Sequence, residues 1–201
     1  MKNSLRGGVL AGGIGARERV ENDYYATPPS ATRQFLERLN EDGLSLVGSI
    51  LEPAAGGGHM SDVLRDIYGE DNVTSTDLVD RGYPYLDSTK DFLNDNFDYY
   101  DNVITNPPFK YAQEFIEKGL DIANKKVIMF AKIQLLEGKR RYNLFKSNPP
   151  SYVYVHSSRV NPYRNGSPVD ENGKKWSSTM CFAWYVWDKE YSGETIVRWL
   201  E

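Results

Sequence analysis

The sequence predicts an α/β fold with a mostly parallel central sheet, helices on both faces, and an antiparallel strand pair at one edge. Three observations support this class. Short apolar segments alternate with amphipathic ones through the first two thirds of the chain, as in parallel sheets covered on both faces. Turns rich in Gly or Pro follow the predicted strands. The closing segments "SYVYVH" and "MCFAWYVW" are β-rich and have no helical pattern between them.

The first half of the chain contains two helices and two strands. After "TPP", Ser30 is a candidate cap for a helix whose apolar residues recur at helical spacing. These residues are Ala31, Phe35, Leu36 and Leu39. The strand "SILEP", a glycine turn, a second helix and the strand "NVTSTD" follow in order. The second helix places apolar residues on one face, namely Met60, Val63, Leu64 and Ile67.

The second half begins with the strand "NVIT", a Pro-rich turn and a third helix. Its apolar residues are Ala112, Phe115, Ile116 and Leu120. The run "KVIMFAKI" predicts another buried strand, and the two β-rich segments after it are joined by a polar loop over residues 157–178. We expect Cys181 and the tryptophans at 176, 184 and 187 to lie mainly in the core.

Length and composition indicate one globular domain, assigned to residues 22–201, with a flexible Gly-rich arm over residues 1–21. No apolar run approaches the ~20 residues of a membrane helix. The net charge of −4 argues against a protein coated in positive charge. The single cysteine excludes an internal disulfide and a Cys-based zinc site. We expect a cytoplasmic monomer that binds neither a membrane nor a metal.

A glycine turn and two acids predict the ligand. Gly56, Gly57 and Gly58 in "ILEPAAGGGHM" permit a sharp turn and close approach of a ligand. Asp77 ends the next strand about 20 residues later, the spacing at which an acid reaches ribose hydroxyls. No Gly-Lys-Ser or Gly-Lys-Thr follows, and Glu52 would repel a pyrophosphate but suit an ammonium. S-adenosylmethionine has this ammonium and this ribose; a structural turn with a capping Asp is the alternative.

The stretch "DNVITNPPFK" ends an apolar strand with an amide, two prolines and a ring. The Asn106 side-chain oxygen and the Pro107 carbonyl could each accept one N–H of an amine conjugated to a ring. This would free the nitrogen lone pair toward a methyl group. Pro108 would help to hold the acceptors in place, and Phe109 would stack on the ring. The alternative is a helix-entry turn.

In combination these segments resemble the S-adenosylmethionine-dependent adenine N6 methyltransferases of DNA, of the compact type found in phages and bacteria. From about residue 22 onward, "ATPPSATRQFL", "LEPAAGGG", "STDLVDRGY", "DFL", "NPPF", "FAKIQLLEGKRRYNLF" and "YVHSSRVNPY" carry the resemblance. It implies a Rossmann-like methyltransferase fold and a catalytic motif formed by Asn106, Pro107, Pro108 and Phe109. It also implies a set of cofactor-binding residues: Tyr25, Thr27, Pro28, Glu52, Pro53, Ala54, Gly56, Gly58, Asp77, Leu78, Asp91, Phe92 and Asn106.

The resemblance implies DNA as the partner, with the target base flipped out of the duplex. No large separate domain for reading a target sequence is present in the sequence, so basic clusters are the candidate DNA contacts. They are Arg140, Arg141, Arg159, Arg164, Lys174 and Lys175. Two alternatives stay open. One is methylation of RNA bases or of a glutamine amide in a translation factor, and the other is a binding module that has lost turnover.

Overall fold

The computed structural model describes residues 24–201, and the predicted flexible arm over residues 1–21 lies outside this range. The strands are β1 (Tyr25–Ala26), β2 (Ile50–Glu52), β3 (Val73–Asp77), β4 (Ser88–Thr89), β5 (Tyr100–Thr105), β6 (Ala123–Lys132), β7 (Tyr152–His156), β8 (Tyr163–Arg164), β9 (Phe182–Asp188) and β10 (Ile196–Leu200). The α-helices are α1 (Pro29–Glu41), α2 (Ser61–Tyr68), α3 (Ala112–Ile122) and α4 (Tyr142–Ser147). None of the helices within residues 24–201 has the length and apolar character needed to cross a membrane.

Eight strands form the main sheet in the order β10-β7-β9-β6-β5-β2-β3-β4. Neighbours are parallel except at β9, which runs antiparallel to both β6 and β7. The predicted α/β class, the mostly parallel sheet and the antiparallel β7–β9 pair are therefore confirmed. Strand β10 was not predicted, because its five residues include a central Arg198 and follow β9 closely. It pairs with the outer side of β7 and forms one edge of the main sheet.

Helices cover both faces of the sheet because successive strand residues point to opposite sides. Val103 and Val127 pack with the buried face of α3, whereas Ile104 and Ile128 pack with α1 and α2. All four side chains are fully buried. The continuous apolar runs in β5 and β6 are thus explained by burial on both faces.

Several local predictions are corrected by the structure. Helix α1 begins at Pro29, so Ser30 lies in the first turn and does not act as a cap. Proline suits this position because its missing N–H has no partner in a first turn anyway. Ile67 is 39% exposed, on the outer side of α2. Cys181 is exposed just before β9, and Trp176 lies outside the core on the polar loop, whereas Trp184 and Trp187 are buried as expected.

The loop over residues 157–178 is anchored to the start of the described chain. Its strand β8 pairs antiparallel with β1, placing Tyr25 opposite Arg164 and Ala26 opposite Tyr163. The backbone N–H of Asn165 donates to the Tyr24 carbonyl at 3.1 Å. This β1–β8 ribbon explains how a loop longer than the ~12–15 residues usual for irregular segments stays ordered.

The order of the strands fixes where a ligand can bind. From β2 the chain proceeds to β3 on one side and later to β5 on the other, so β2 lies at a switch point of the sheet. All three strands are parallel, and their carboxyl ends therefore lie on one edge. Crevices at such points are the usual ligand sites of open α/β sheets.

Candidate active site

A cavity of about 540 Å³ opens at the carboxyl ends of β2, β3 and β5. This volume is in the range of small-molecule sites, roughly 300–1,000 Å³. All of the predicted cofactor-binding residues line it except Pro28, Gly56 and Gly58. Of the predicted catalytic motif, Asn106 and Pro108 line it, whereas Pro107 and Phe109 do not. The structure therefore brings the acids and the motif together around one space.

Asp77 holds the glycine turn against β3. Its Oδ2 accepts the Gly56 N–H at 2.8 Å and its Oδ1 accepts the Val79 N–H at 2.9 Å. Asp77 is buried and lines the cavity. Since a carboxylate oxygen has two lone pairs, each oxygen retains capacity to accept a further hydrogen bond. Asp77 can thus position the turn and bind a hydroxyl at the same time.

The glycines of the turn make room for two tyrosine rings. Gly56 and Gly58 have φ values of 60° and 81°, in the left-handed region that favours glycine. A Cβ at Gly56 would lie 2.5 Å from the Tyr24 ring, and one at Gly58 would lie 2.0 Å from the Tyr83 ring. The Tyr24 hydroxyl accepts the Gly57 N–H at 2.9 Å. The close approach expected for a ligand is therefore made here by protein side chains.

Glu52 is a buried carboxyl at the end of β2, with 2% of its surface exposed. Its Oε2 accepts a hydrogen bond from the Ser61 hydroxyl, which lies 2.7 Å from the Ser75 hydroxyl. Burial raises the pKa of Glu52 to about 8, and the Asp77 charge adds to the rise. Without a cation nearby the carboxyl holds its proton at neutral pH. A bound ammonium would favour the ionised form.

Glu52→Gln is expected to change how stability depends on pH. The folded-state pKa of about 8 exceeds the ordinary value of 4.5, so stability from the neutral carboxyl is lost as pH rises toward 8. A permanently neutral amide avoids this loss. The free energy of unfolding of the variant should therefore rise relative to that of the wild type by about 4 kcal/mol between pH 5 and pH 9. Urea unfolding near pH 5 and near pH 9 measures it. The exposed Glu114→Gln is the control, and equal pH profiles for Glu52→Gln and wild type would contradict the assignment.

The orientation of the Asn106 amide follows from its partners. Its Nδ2 donates to the Tyr25 carbonyl at 2.6 Å and to the Thr27 hydroxyl at 3.0 Å. A backbone carbonyl only accepts, so the amide nitrogen must face the segment that follows Tyr24. Both of its hydrogens are used there. The Oδ1 atom is left as an acceptor on a side chain that lines the cavity.

Phe109 is held by another ring instead of facing the cavity. Its ring stacks on Tyr25 with centroids 5.6 Å apart and an interplanar angle of 23°. The Lys132 ammonium lies 4.0 Å from the centroid of the Phe109 ring. Tyr25 and Tyr111 are the rings that line the cavity beside the motif. Phe109 can stack directly on a base, as predicted, only if Tyr25 moves away. If Tyr25 stays in place, its own ring is the one that a base would stack on.

The other end of the cavity is formed by Asp91 and Phe92. Asp91 accepts the Leu93 N–H at 2.9 Å and the Asn94 side-chain amide at 2.7 Å. These bonds, the Asn94 side chain first, lower the pKa of Asp91. Phe92 is buried and packs against Phe115 with ring centroids 4.9 Å apart. An ionised acid beside an apolar wall suits the amino group and the flat face of a heteroaromatic ring.

Several residues that line the cavity are absent from the predicted cofactor-binding set. They include Tyr24, His59, Arg81, Lys90, Lys110 and Tyr111. The Arg81 guanidinium lies 4.1 Å from the centroid of the Tyr24 ring, and the buried Nδ1 of His59 has no hydrogen-bond partner among the described residues. The sequence does point to Tyr24, which precedes "TPP", and to His59, which follows the glycine turn. Arg81 lies in a loop without periodicity, and no signal pointed to it.

The predicted DNA-binding residues lie outside this cavity. Arg141 donates to the backbone carbonyls of Gln134, Leu135 and Glu137, so it stabilises the turn after β6 and its guanidinium is already engaged. Arg140 is exposed beside it. The others, all in the loop over residues 157–178, are Arg159, Arg164, Lys174 and Lys175. Within residues 24–201, no group of three His, Cys, Asp or Glu residues could hold a metal ion.

No family model and no curated protein matches this sequence. Solved structures share its fold. A candidate RNA methyltransferase from Pyrococcus horikoshii is 17% identical, with a TM-score of 0.64 over 87% of this chain and 91% of that one. A candidate class I S-adenosylmethionine-dependent methyltransferase from Listeria monocytogenes is 15% identical, with a TM-score of 0.56 over 95% and 70%. A type I restriction-modification methyltransferase subunit from Streptococcus thermophilus is 12% identical, with a TM-score of 0.58 over 96% and 52%, so this chain spans about half of it.

Proposed function

We propose that this chain transfers a methyl group from S-adenosylmethionine to the exocyclic amino group of adenine in DNA, after the base is flipped out of the duplex. The observation that carries the proposal is the orientation of Asn106. Its nitrogen is bonded to the Tyr25 carbonyl and to Thr27, so its oxygen is the atom available to an amine. An acceptor fixed at the rim of a cofactor-sized cavity is what a poor amine nucleophile needs.

The cavity fits the cofactor by the chemistry of its walls. Glu52 would hold the ammonium, which would offset the cost of burying its charge. Asp77 would accept the ribose hydroxyls, and Asp91 with Phe92 would hold the adenine. When bound there, S-adenosylmethionine supplies a methyl group on a positively charged sulfur. The Glu52 carboxyl would release its proton as the ammonium binds.

Asn106 and Pro107 would activate the amine. Its lone pair is delocalised into the ring, which makes the nitrogen planar and weakly nucleophilic. If the Asn106 oxygen and the Pro107 carbonyl each accept one N–H, the nitrogen becomes more tetrahedral and its lone pair is freed. The Pro-Pro sequence limits backbone motion, so little reorganisation accompanies the reaction. Transfer would be direct, and the surplus proton would pass to water.

The comparison structures support DNA and also one rival. The Streptococcus thermophilus protein is a restriction-modification subunit, which favours DNA as the substrate. The Pyrococcus horikoshii protein is described as a candidate RNA methyltransferase, which favours an RNA base. Either substrate presents a planar nitrogen that the same two acceptors could activate.

Parallel assays of methyl transfer test the proposal. With methyl-labelled S-adenosylmethionine, we expect label in DNA, recovered as N6-methyladenine by mass analysis of nucleosides. RNA and ribosomal proteins serve as the competing acceptors. Label found only in RNA or only in a protein glutamine would replace the proposed substrate. No label in any acceptor, with cofactor binding intact, would favour a binding module without turnover.

A further inference from the structure

A second cavity of about 580 Å³ lies between the start of α1 and the loop over residues 157–178. The β1–β8 ribbon separates it from the first cavity. Tyr25 and Thr27 line the first cavity, whereas Pro28 and Tyr163 line the second. The Tyr163 ring also contacts the His59 ring, with centroids 5.7 Å apart. A chain-like ligand could therefore enter both cavities across one thin wall.

The charge of the second cavity differs from that of the protein as a whole. No Asp or Glu is among the residues that line it, although the chain has a net charge of −4. Two cations, Arg159 and Lys175, contribute to its wall. Arg159 donates through Nη1 to the Ser178 carbonyl at 2.8 Å, which holds its guanidinium in place. This environment favours an anionic ligand.

A chain of hydrogen bonds orients a neutral donor toward this cavity. The Trp184 indole N–H only donates, so the His156 Nε2 at 3.1 Å must accept. The proton of the neutral ring is then on Nδ1, which donates to the Gln34 Oε1 at 3.0 Å. Burial lowers the pKa of His156 to about 4, in agreement with a neutral ring. The Gln34 amide is thereby oriented, and its NH₂ group is the end left for a ligand.

Trp176 provides a flat apolar wall in the same cavity. Its indole N–H donates to the Ser167 carbonyl at 2.6 Å, which fixes the plane of the ring. Asn161 also lines the cavity, and its Oδ1 accepts the Ser178 N–H at 2.8 Å. Its NH₂ group is therefore a second amide donor. A fixed ring, two amide donors and two cations match the base and the phosphate of a nucleotide.

We propose that the second cavity binds the nucleotide next to the target base in the DNA strand. The base of this nucleotide would stack on Trp176 and accept hydrogen bonds from Gln34 and Asn161. Its phosphate would contact Arg159 and Lys175. This inference rests on the proposed function, because the same strand presents its target adenine to the first cavity. It assigns substrate recognition to a short, fixed element on the methyltransferase domain itself.

A series of short single-stranded substrates of increasing length tests the inference. The wild type is compared on deoxyadenosine 5′-monophosphate and on dinucleotides extended by one residue on the 5′ or the 3′ side. Extension on one of the two sides should raise kcat/KM by about 10-fold over the mononucleotide, as expected for a stacked base and a paired phosphate. Trp176→Ala and Lys175→Ala should lose most of this gain. Lys189→Ala is the control, since Lys189 is exposed after β9, lines neither cavity and is not among the predicted DNA contacts.

Direct binding separates this inference from the proposed function. The affinity for a fluorescein-labelled oligodeoxynucleotide, measured by anisotropy, should fall about 10-fold in Lys175→Ala and in Trp176→Ala but not in Lys189→Ala. This loss of affinity is expected whether or not methyl transfer to DNA is detected. Equal affinities for all four proteins, or a dinucleotide gain that persists in Trp176→Ala and Lys175→Ala, would overturn the inference. A gain seen only with oligoribonucleotides would overturn DNA as the strand.

Discussion

Asn106→Ala is expected to reduce the rate of methyl transfer to DNA by at least about a hundredfold. Losing a fixed hydrogen-bond acceptor of this kind raises the activation free energy by roughly 3 kcal/mol. Binding of S-adenosylmethionine should change by no more than a few fold. The Asn106 nitrogen donates hydrogen bonds to Tyr25 and Thr27, so its oxygen would accept from the amine and not from the cofactor. The effect should therefore be on kcat.

Single-turnover kinetics with labelled cofactor and calorimetric titration of S-adenosylmethionine measure the two quantities separately. Asn143→Ala is a matched control, because Asn143 is exposed on α4 and does not line the cavity. Thr27→Val keeps the shape of the side chain but removes one partner of the Asn106 amide. It should lower kcat by less than Asn106→Ala does. Near-normal turnover of Asn106→Ala would show that the proposed activation of the amine is wrong.

Much of the site could be predicted because its acids and amide follow strands directly. Glu52 ends β2, Asp77 ends β3, and Asn106 comes immediately after β5. The strands were recognisable from local apolar runs, and parallel strands place their carboxyl ends on one edge. Residues far apart in the sequence therefore had to meet there. Local apolar patterns and the topology of the sheet are therefore enough to bring these three side chains together.

The contacts that shape the site could not be predicted in the same way. Strands β1 and β8 have two residues each, too few for a periodic signal, yet their pairing forms the wall between the two cavities. The stacking of Tyr25 on Phe109 depends on how the chain folds back over the motif. Arg141 was predicted to contact DNA from its charge alone. Its hydrogen bonds to three backbone carbonyls could not be predicted, because only the folded turn brings these groups near it.

Asp77→Ala is expected to weaken S-adenosylmethionine binding by about 1.5–3 kcal/mol, since it would remove the proposed charge-assisted hydrogen bonds to the ribose. The structure adds a second effect. Asp77 accepts the N–H groups of Gly56 and Val79, so its loss also releases the glycine turn. Asp77→Asn has nearly the same shape and keeps one acceptor oxygen. It should therefore retain more of the turn while losing the charge.

Asp80→Asn provides the matched control for Asp77→Asn. Asp80 is exposed in the same loop and accepts the Gly82 N–H at 2.8 Å, but it does not line the cavity. Calorimetry on the three variants gives the dissociation constants, and urea unfolding without cofactor gives the stability lost with the turn. A weaker affinity in Asp77→Asn at nearly unchanged stability would assign the ribose contact to this carboxylate. An unchanged dissociation constant in both Asp77 variants would place the ribose elsewhere in the cavity.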